Sequence, residues 1–245
     1  MGELIAVLSG KGGTGKTSVC AGIASALAFQ GESVLCIDCD VGLRNLDIAL
    51  GISELGALSF LDVCRGDYSV DDAVHHPVFE KLQFLTAPMG CAAASIDPGA
   101  FSRMLQQAKA QFSYVFLDAP AGIEAGFSLA ARHADRILLV TGPDPAAVRD
   151  AARAADVLEL MGKKNIRLIV NRINKKIAAA TKTTVDDIMD NSGLPLAGVV
   201  PEDADVTLAA VYKTPLILYD RRSAAAAACC RIARRIQGYH TPIFL

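Results

Sequence analysis

The chain has 245 residues, with 24 Lys plus Arg against 26 Asp plus Glu, a formal charge of −2, and 52% hydrophobic against 20% charged residues. At about 100 to 200 residues per domain this makes one or two domains with a sizeable core. The near-neutral balance excludes a strongly basic nucleic-acid coat or an acidic tail as the main theme, and the composition excludes disorder and collagen-like repeats.

The longest uncharged stretches, 17–31 and 82–96, run fifteen residues each, short of the roughly 20 apolar residues of a spanning helix. Glu3 and the brief run Leu4 to Leu8 do not make a secretory signal, whose apolar region takes about 7 to 15 residues. Ala6 stands where a myristoylation signal has Ser or Thr, and Pro242 to Leu245 contains no prenylatable Cys. The expected location is the cytoplasm. Seven Cys, at 20, 36, 39, 64, 91, 229 and 230, are odd in number and sit in apolar contexts, as small buried side chains do in a reducing compartment. No disulfide is expected, and the lone Cys36-Ile37-Asp38-Cys39 has no second pair to complete a zinc site.

In chain order, apolar runs at Leu4–Leu8, Val34–Ile37, Leu82–Thr86, Tyr114–Leu117, Ile137–Val140, Ile166–Val170 and Leu196–Val200 alternate with helical patterns. The runs have little polar alternation, which predicts strands of a mostly parallel sheet covered by helices on both faces. Thr17 to Phe29 places Val19, Ile23 and Leu27 on one helical face; Asp97-Pro98 opens a helix to about Ala110; Asp144 to Met161 and Ala224 to Gln237 are two more. No repeat, linker or composition shift divides the chain. The expectation is one α/β domain over 1–245, with 238–245 as a short tail. His75-His76-Pro77 reads as a loop and Cys229-Cys230 as a helix packing face.

Gly10-Lys11-Gly12-Gly13-Thr14-Gly15-Lys16-Thr17 matches a phosphate loop, set between an apolar strand and an amphipathic helix as that loop requires. Its glycines let backbone N–H groups turn toward phosphate oxygens, and the following helix adds its positive end. Lys16 is expected on the β and γ phosphates and the Thr17 hydroxyl on Mg²⁺, with Ser18 beside them. Asp38 and Asp40 close the second strand, where carboxylates face the ligand crevice and hold a hydrated Mg²⁺ or orient a water; the bland alternative is a solvated loop Asp and a helix cap. Tyr114 to Asp118 is an apolar strand ending in a carboxylate suited to Mg²⁺. Asn171 and Arg172 follow one strand and Pro201 and Asp203 another; the Asn amide both donates and accepts, as an adenine edge requires, although turn residues after strands are common.

The second lysine, Lys11, makes Lys11 to Thr17 resemble the deviant Walker A of the ParA/MinD family of ATPases. Asp38-x-Asp40-x-Gly42-Leu43-Arg44-Asn45-Leu46-Asp47 and Asp118-x-Pro120-Ala121-Gly122-Ile123-Glu124 are similar to the two switch regions of its division-site branch, and the likeness runs from about Gly2 to about Gln237. The resemblance implies a single P-loop α/β domain that binds ATP and Mg²⁺ and hydrolyses ATP slowly to time a monomer–dimer switch. It implies that Lys11 reaches the partner's phosphates across a homodimer, that Lys16 and Asp40 act in catalysis, that Thr17, Asp38 and Asp118 serve the metal, and that Gly10, Gly12, Gly13, Thr14, Gly15, Ser18, Asn171, Arg172, Pro201 and Asp203 line the nucleotide. Arg44 and Asn45 lie near the γ phosphate and the dimer interface on the same reading. The implied partners are a division inhibitor and an ATPase-activating protein.

Within the family, a partition or flagellar-number ATPase is the alternative. A reductase of the same superfamily needs two cluster cysteines per subunit, and the second switch has none. Members of the division-site branch usually end in a short basic amphipathic helix that inserts at the inner face of the membrane on dimerisation. Here eight residues follow Gln237, one Pro among them and no Lys or Arg, which makes a poor anchor. Arg231, Arg234 and Arg235 form too small a basic face for nonspecific DNA binding.

Overall fold

A computed structural model describes residues 2–243. The seven apolar runs form strands β1 (Glu3–Leu8), β2 (Val34–Asp38), β4 (Leu82–Leu85), β5 (Tyr114–Asp118), β6 (Arg136–Thr141), β7 (Ile166–Ile173) and β8 (Leu196–Pro201), and the two-residue β3 (Val74–His75) joins them. The spatial order is β3-β4-β2-β5-β1-β6-β7-β8. Among the described residues only the β3–β4 pairing is antiparallel. The helices are α1 (Lys16–Phe29), α2 (Leu46–Ala49), α3 (Phe60–Arg65), α4 (Pro98–Gln111), α5 (Ala125–His133), α6 (Pro145–Leu160), α7 (Lys175–Thr181), α8 (Val185–Ser192), α9 (Ala204–Val211), α10 (Leu216–Tyr219) and α11 (Ala224–Ile236).

Burial on both faces explains the unalternated strands. Leu4, Ala6 and Leu8 of β1 point into one layer with Phe101 of α4, Phe127 of α5 and Leu158 of α6. Ile5 and Val7 point into the other, with α1 and α11. The result is a single α/β domain. The expected one-sided face of α1 gives way to near-complete burial from Val19 to Ala28, because the helix is held between the sheet and α11. Cys36 and Cys39 fall in opposite layers, which removes the CxxC from metal chemistry.

His75 falls in β3, whereas His76 lies in the expected loop but is not a surface residue. Its ring is buried, with Nε2 3.0 Å from the Leu50 carbonyl and Nδ1 accepting the N–H groups of Val78 and Phe79. It closes the β3 edge as a satisfied polar core group. Among the described residues no helix is long and apolar enough to cross a membrane.

Helix α11 lies so close to β8 that a Cβ on Gly198 would stand 2.5 Å from Cγ1 of Ile232. Gly198→Val is therefore expected to cost about 1–3 kcal/mol by overpacking in urea unfolding. The double variant with Ile232→Ala should lose less than the sum of the two single changes, because the deleted side chain makes the room; simple additivity would contradict this packing.

Candidate functional site

Strand β1 lies between β5 and β6, so the chain leaving its C-terminal end enters the crevice where strand order reverses. Gly13 and Gly15 turn the loop at φ of 79° and 83°, conformations that cost a side chain 1–2 kcal/mol or so. Gly15 is also the N-cap of α1; no side chain caps this helix and its first turn has no acid, which leaves its N–H groups and positive end toward the loop. A Cβ on Gly15 would collide with the Asn171 amide, and one on Gly10 with the Asp150 carbonyl of α6.

Three charges are buried beneath the loop. Register pairs Asp38 with Asp118 across β2 and β5, and Lys16 Nζ lies 2.8 Å from Asp118 Oδ1, with side-chain exposures of 7% and 1%. The Thr17 hydroxyl is 3.4 Å from the same amine. Burial raises Asp118 above the ordinary carboxylate value, with Lys16 opposing the shift. Asp38 is pushed up to about 7 by burial and then by the charge of Asp118, although it accepts the N–H groups of Asp40 and Leu46 at 2.9 and 3.2 Å. One buried cation thus faces two buried carboxylates, a deficit that a further cation would relieve.

Asp40 and Lys11 stand apart from that cluster. Asp40 Oδ1 accepts the N–H groups of Gly42 and Leu43 at 3.2 and 3.3 Å, which folds the first switch into a turn. Leu43 is left largely exposed, and Arg44 takes φ of 50° and donates through Nε to Thr86 at 3.0 Å. Asn45 caps α2. In the second switch Gly122 takes φ of 90° and donates its N–H to the Ser9 carbonyl at 3.1 Å. Lys11 Nζ lies 3.4 Å from Asp144 Oδ1, the two side chains 43% and 55% exposed. Sequence reasoning took Asp144 only as a helix start. It is the N-cap of α6, accepting the Ala147 N–H at 3.0 Å, and its second use was invisible because β6 had first to be paired beside β1.

At the other end of the loop a cavity of about 380 Å³ brings Gly15, Ser18, Asn171, Arg172, Pro201 and Asp203 together. Three of these expected ligands are engaged within the protein. Asn171 donates through Nδ2 to the Thr14 carbonyl and Arg172 through Nη1 to the Gly13 carbonyl, both at 2.8 Å. One amide hydrogen of Asn171 is used in this way, and its second N–H and its oxygen remain. Asp203 accepts the N–H of Asp205 at 3.0 Å and of Ala225 at 2.9 Å, so it ties α9 to α11 with both carboxylate oxygens.

These residues fit a nucleotide with a hard divalent cation. The hydroxyls of Ser9 and Thr14 are buried without a hydrogen-bond partner, the uncapped helix start and Lys16 supply cationic character, and the Thr17 hydroxyl with Asp38 and Asp118 is an all-oxygen donor set of the kind Mg²⁺ takes. The family model for the CobQ/CobB/MinD/ParA nucleotide-binding domain matches residues 5–216. The septum site-determining protein MinD of Synechocystis sp. is 36% identical over 99% of this chain and 92% of its own length. The chain belongs to the MinD proteins of this family. It is a nucleotide-binding ATPase domain of the MinD/ParA type. Among solved structures, MinD in the Aquifex aeolicus MinC:MinD cell division complex superposes with a TM-score of 0.92 at 34% identity, over 99% of this chain and 98% of that one. MinD of Pyrococcus horikoshii complexed with Mg-ADP gives 0.84 at 28% identity, over 96% of each.

The raised Asp38 sets a pH dependence. The folded protein keeps a proton there that the unfolded chain, near 3.8, has released. The stabilising contribution is fully present below that unfolded value and is lost as pH rises through about 7. In EDTA without nucleotide, urea unfolding is expected to report a loss on the order of 2–4 kcal/mol across this window. Asp38→Asn should flatten the curve; an unchanged pH profile in that variant would contradict the assignment.

Proposed function

We propose that this member of the MinD proteins is a slow ATP hydrolase whose ATP-bound form dimerises, and that this switch positions the cell-division site. The carrying observation is the contrast between two lysines of one loop: Lys16 is buried on Asp118, while Lys11 is half-exposed and held only by the surface carboxylate of Asp144. A buried amine suits the phosphates of its own subunit. An exposed one, loosely held, suits charge supplied to a second subunit, the role an arginine finger fills elsewhere.

In this reading Lys16 would hold the β and γ phosphates, and Thr17, Asp38 and Asp118 would hold a hydrated Mg²⁺. The cation supplies charge neutralisation across the phosphate oxygens. Asp40 orients the attacking water; its turn with Gly42 and Leu43 fixes that carboxylate at the mouth of the site. The glycines of the loop with Thr14 and Ser18 hold the phosphates. Asn171, through its remaining N–H and its oxygen, with Arg172, Pro201 and Asp203, borders the base. No Glu follows Asp118 to act as a strong general base, which favours slow turnover. Gly122, hydrogen-bonded to Ser9, gives the second switch a hinge beside the γ phosphate.

The Aquifex aeolicus MinD is found with MinC, and by that relation a division inhibitor is the partner proposed here, together with an ATPase-activating protein. The whole chain acts as one domain with 238–245 as its tail. A partition or flagellar-number role is not favoured, since the near-full-length relative is a septum site-determining protein.

Lys16→Ala is expected to lose about 2–5 kcal/mol of ATP binding, measured by fluorescent-nucleotide titration. Lys11→Ala should keep most of that binding and remain monomeric by sedimentation with ATP; equal losses in both variants would refute the division of roles. Asp40→Ala should bind ATP and dimerise without releasing phosphate. Asp144→Ala, by freeing Lys11 from an exposed pair worth about 0.2–1 kcal/mol, should strengthen ATP-dependent dimerisation by up to about fivefold, and a weakened dimer would count against a restraining contact.

A further inference from the structure

Two consecutive residues near the end of β7 grip two consecutive carbonyls of the phosphate loop. Arg172 donates through Nη1 to the Gly13 carbonyl and Asn171 through Nδ2 to the Thr14 carbonyl, both at 2.8 Å. Neighbours on a regular strand point to opposite faces, so an unbroken β7 would not deliver both side chains to the same loop. A bulge removes the conflict. Asn171 pairs with Val200 and Ile173 with the next residue, Pro201, which leaves Arg172 as an extra residue in the strand. The layers record the same slip: Ile169 and Val170 face opposite sides of the sheet, and unbroken alternation would return Ile173 to the side of Ile169, yet it lies with Val170. Arg172 itself takes φ of 59°, a left-handed conformation that strains any residue with a Cβ. Bulges beside sites re-aim side chains, and strain of this kind gathers where ligands are clamped.

The effect of the two contacts follows from peptide geometry. A trans peptide is planar, with its C=O and N–H pointing in opposite directions. Holding the Gly13 carbonyl therefore aims the Thr14 N–H away from Arg172, and holding the Thr14 carbonyl aims the Gly15 N–H away from Asn171. Neither N–H has a hydrogen-bond partner among the described residues. Gly13 and Gly15 are left-handed while Thr14 between them is not, the alternation that gathers successive N–H groups into an anion-binding nest.

We propose that Arg172 and Asn171 are positioning residues for the phosphates: by fixing two successive peptide planes they keep the Thr14 and Gly15 N–H groups turned into the loop before a nucleotide arrives. Arg172 thus acts on the phosphate end through a neutral carbonyl, although it lines the cavity of the base. Donors fixed in advance cost no reorganisation on binding. This inference rests on the nucleotide site described above and deepens it.

Arg172→Gly is the discriminating variant, because glycine adopts the φ of 59° freely and the exposed side chain alone is lost; circular dichroism checks the fold. Titrated with pyrophosphate, it should bind about tenfold more weakly than the unaltered protein, while adenosine affinity stays within about twofold. Amide spectra of ¹⁵N-labelled protein supply the second readout. At saturating pyrophosphate the Thr14 and Gly15 amide protons should move downfield in the unaltered protein. In Arg172→Gly the Thr14 proton should lose most of that movement and Gly15 keep it, and Asn171→Ala should show the reverse. Equal losses of adenosine and pyrophosphate affinity would make Arg172 a ligand of the base and overturn the proposal. Unchanged pyrophosphate affinity would overturn it too, as would weaker binding with the full Thr14 movement at saturation, which is the mark of a simple charge effect. Failure of the unaltered protein to bind either probe would instead remove the nucleotide site on which the inference rests.

Discussion

The site depends on an imbalance of buried charge. Two carboxylates, Asp38 and Asp118, are register partners at the ends of adjacent strands, and Lys16 alone neutralises them from within hydrogen-bonding distance of Asp118. Such a cluster is costly in a low-dielectric interior, because Asp38 is met by two backbone N–H groups and by no cation of its own among the described residues. The protein meets part of that cost by holding Asp38 above the ordinary carboxylate range. In the function proposed above, a nucleotide and its cation would exchange this frustrated arrangement for a balanced one, with Lys16 on phosphate and the carboxylates near a divalent charge, and binding energy and switching would draw on the same residues.

That cluster also explains why the rest of the loop is arranged around it. The glycines at 10 and 15 admit α6 and Asn171 at distances no side chain would allow, so the loop is braced by carbonyl contacts from Asn171 and Arg172. Around this braced centre the responsive parts are lightly held. Lys11 has one exposed partner, the first switch is a turn on Asp40 with Leu43 outside, and the second is hinged at Gly122. Rigid binding groups beside loosely held switch groups is the arrangement by which a γ phosphate can order a segment and its loss release it.

The MinD relatives and the structure agree on the fold, but they bear on different questions at the two ends of the chain. The phosphate loop, both switches and the strand-end carboxylates lie within the span matched by the family model. The tail beyond α11 lies outside it, in a chain whose described end runs past an edge strand.

The identity of the strands, the loop and the strand-end carboxylates was legible in the residues themselves. Unalternated apolar runs report burial on two faces, and a Gly-rich turn between such a run and a helix has few other uses. Helix α4 was equally plain, because Asp97-Pro98 carries its own capping signal. The short helices α5, α7 and α8 were not, since seven to nine residues span too few turns for a periodic pattern to stand out and their form depends on neighbours. Tertiary structure alone decided which partners the charged groups take: Asp144 for Lys11, backbone amides for Asp203, and the Thr14 carbonyl for Asn171. Those pairings join residues as many as 157 positions apart. They follow from strand order and helix placement, which a local pattern of residues does not encode.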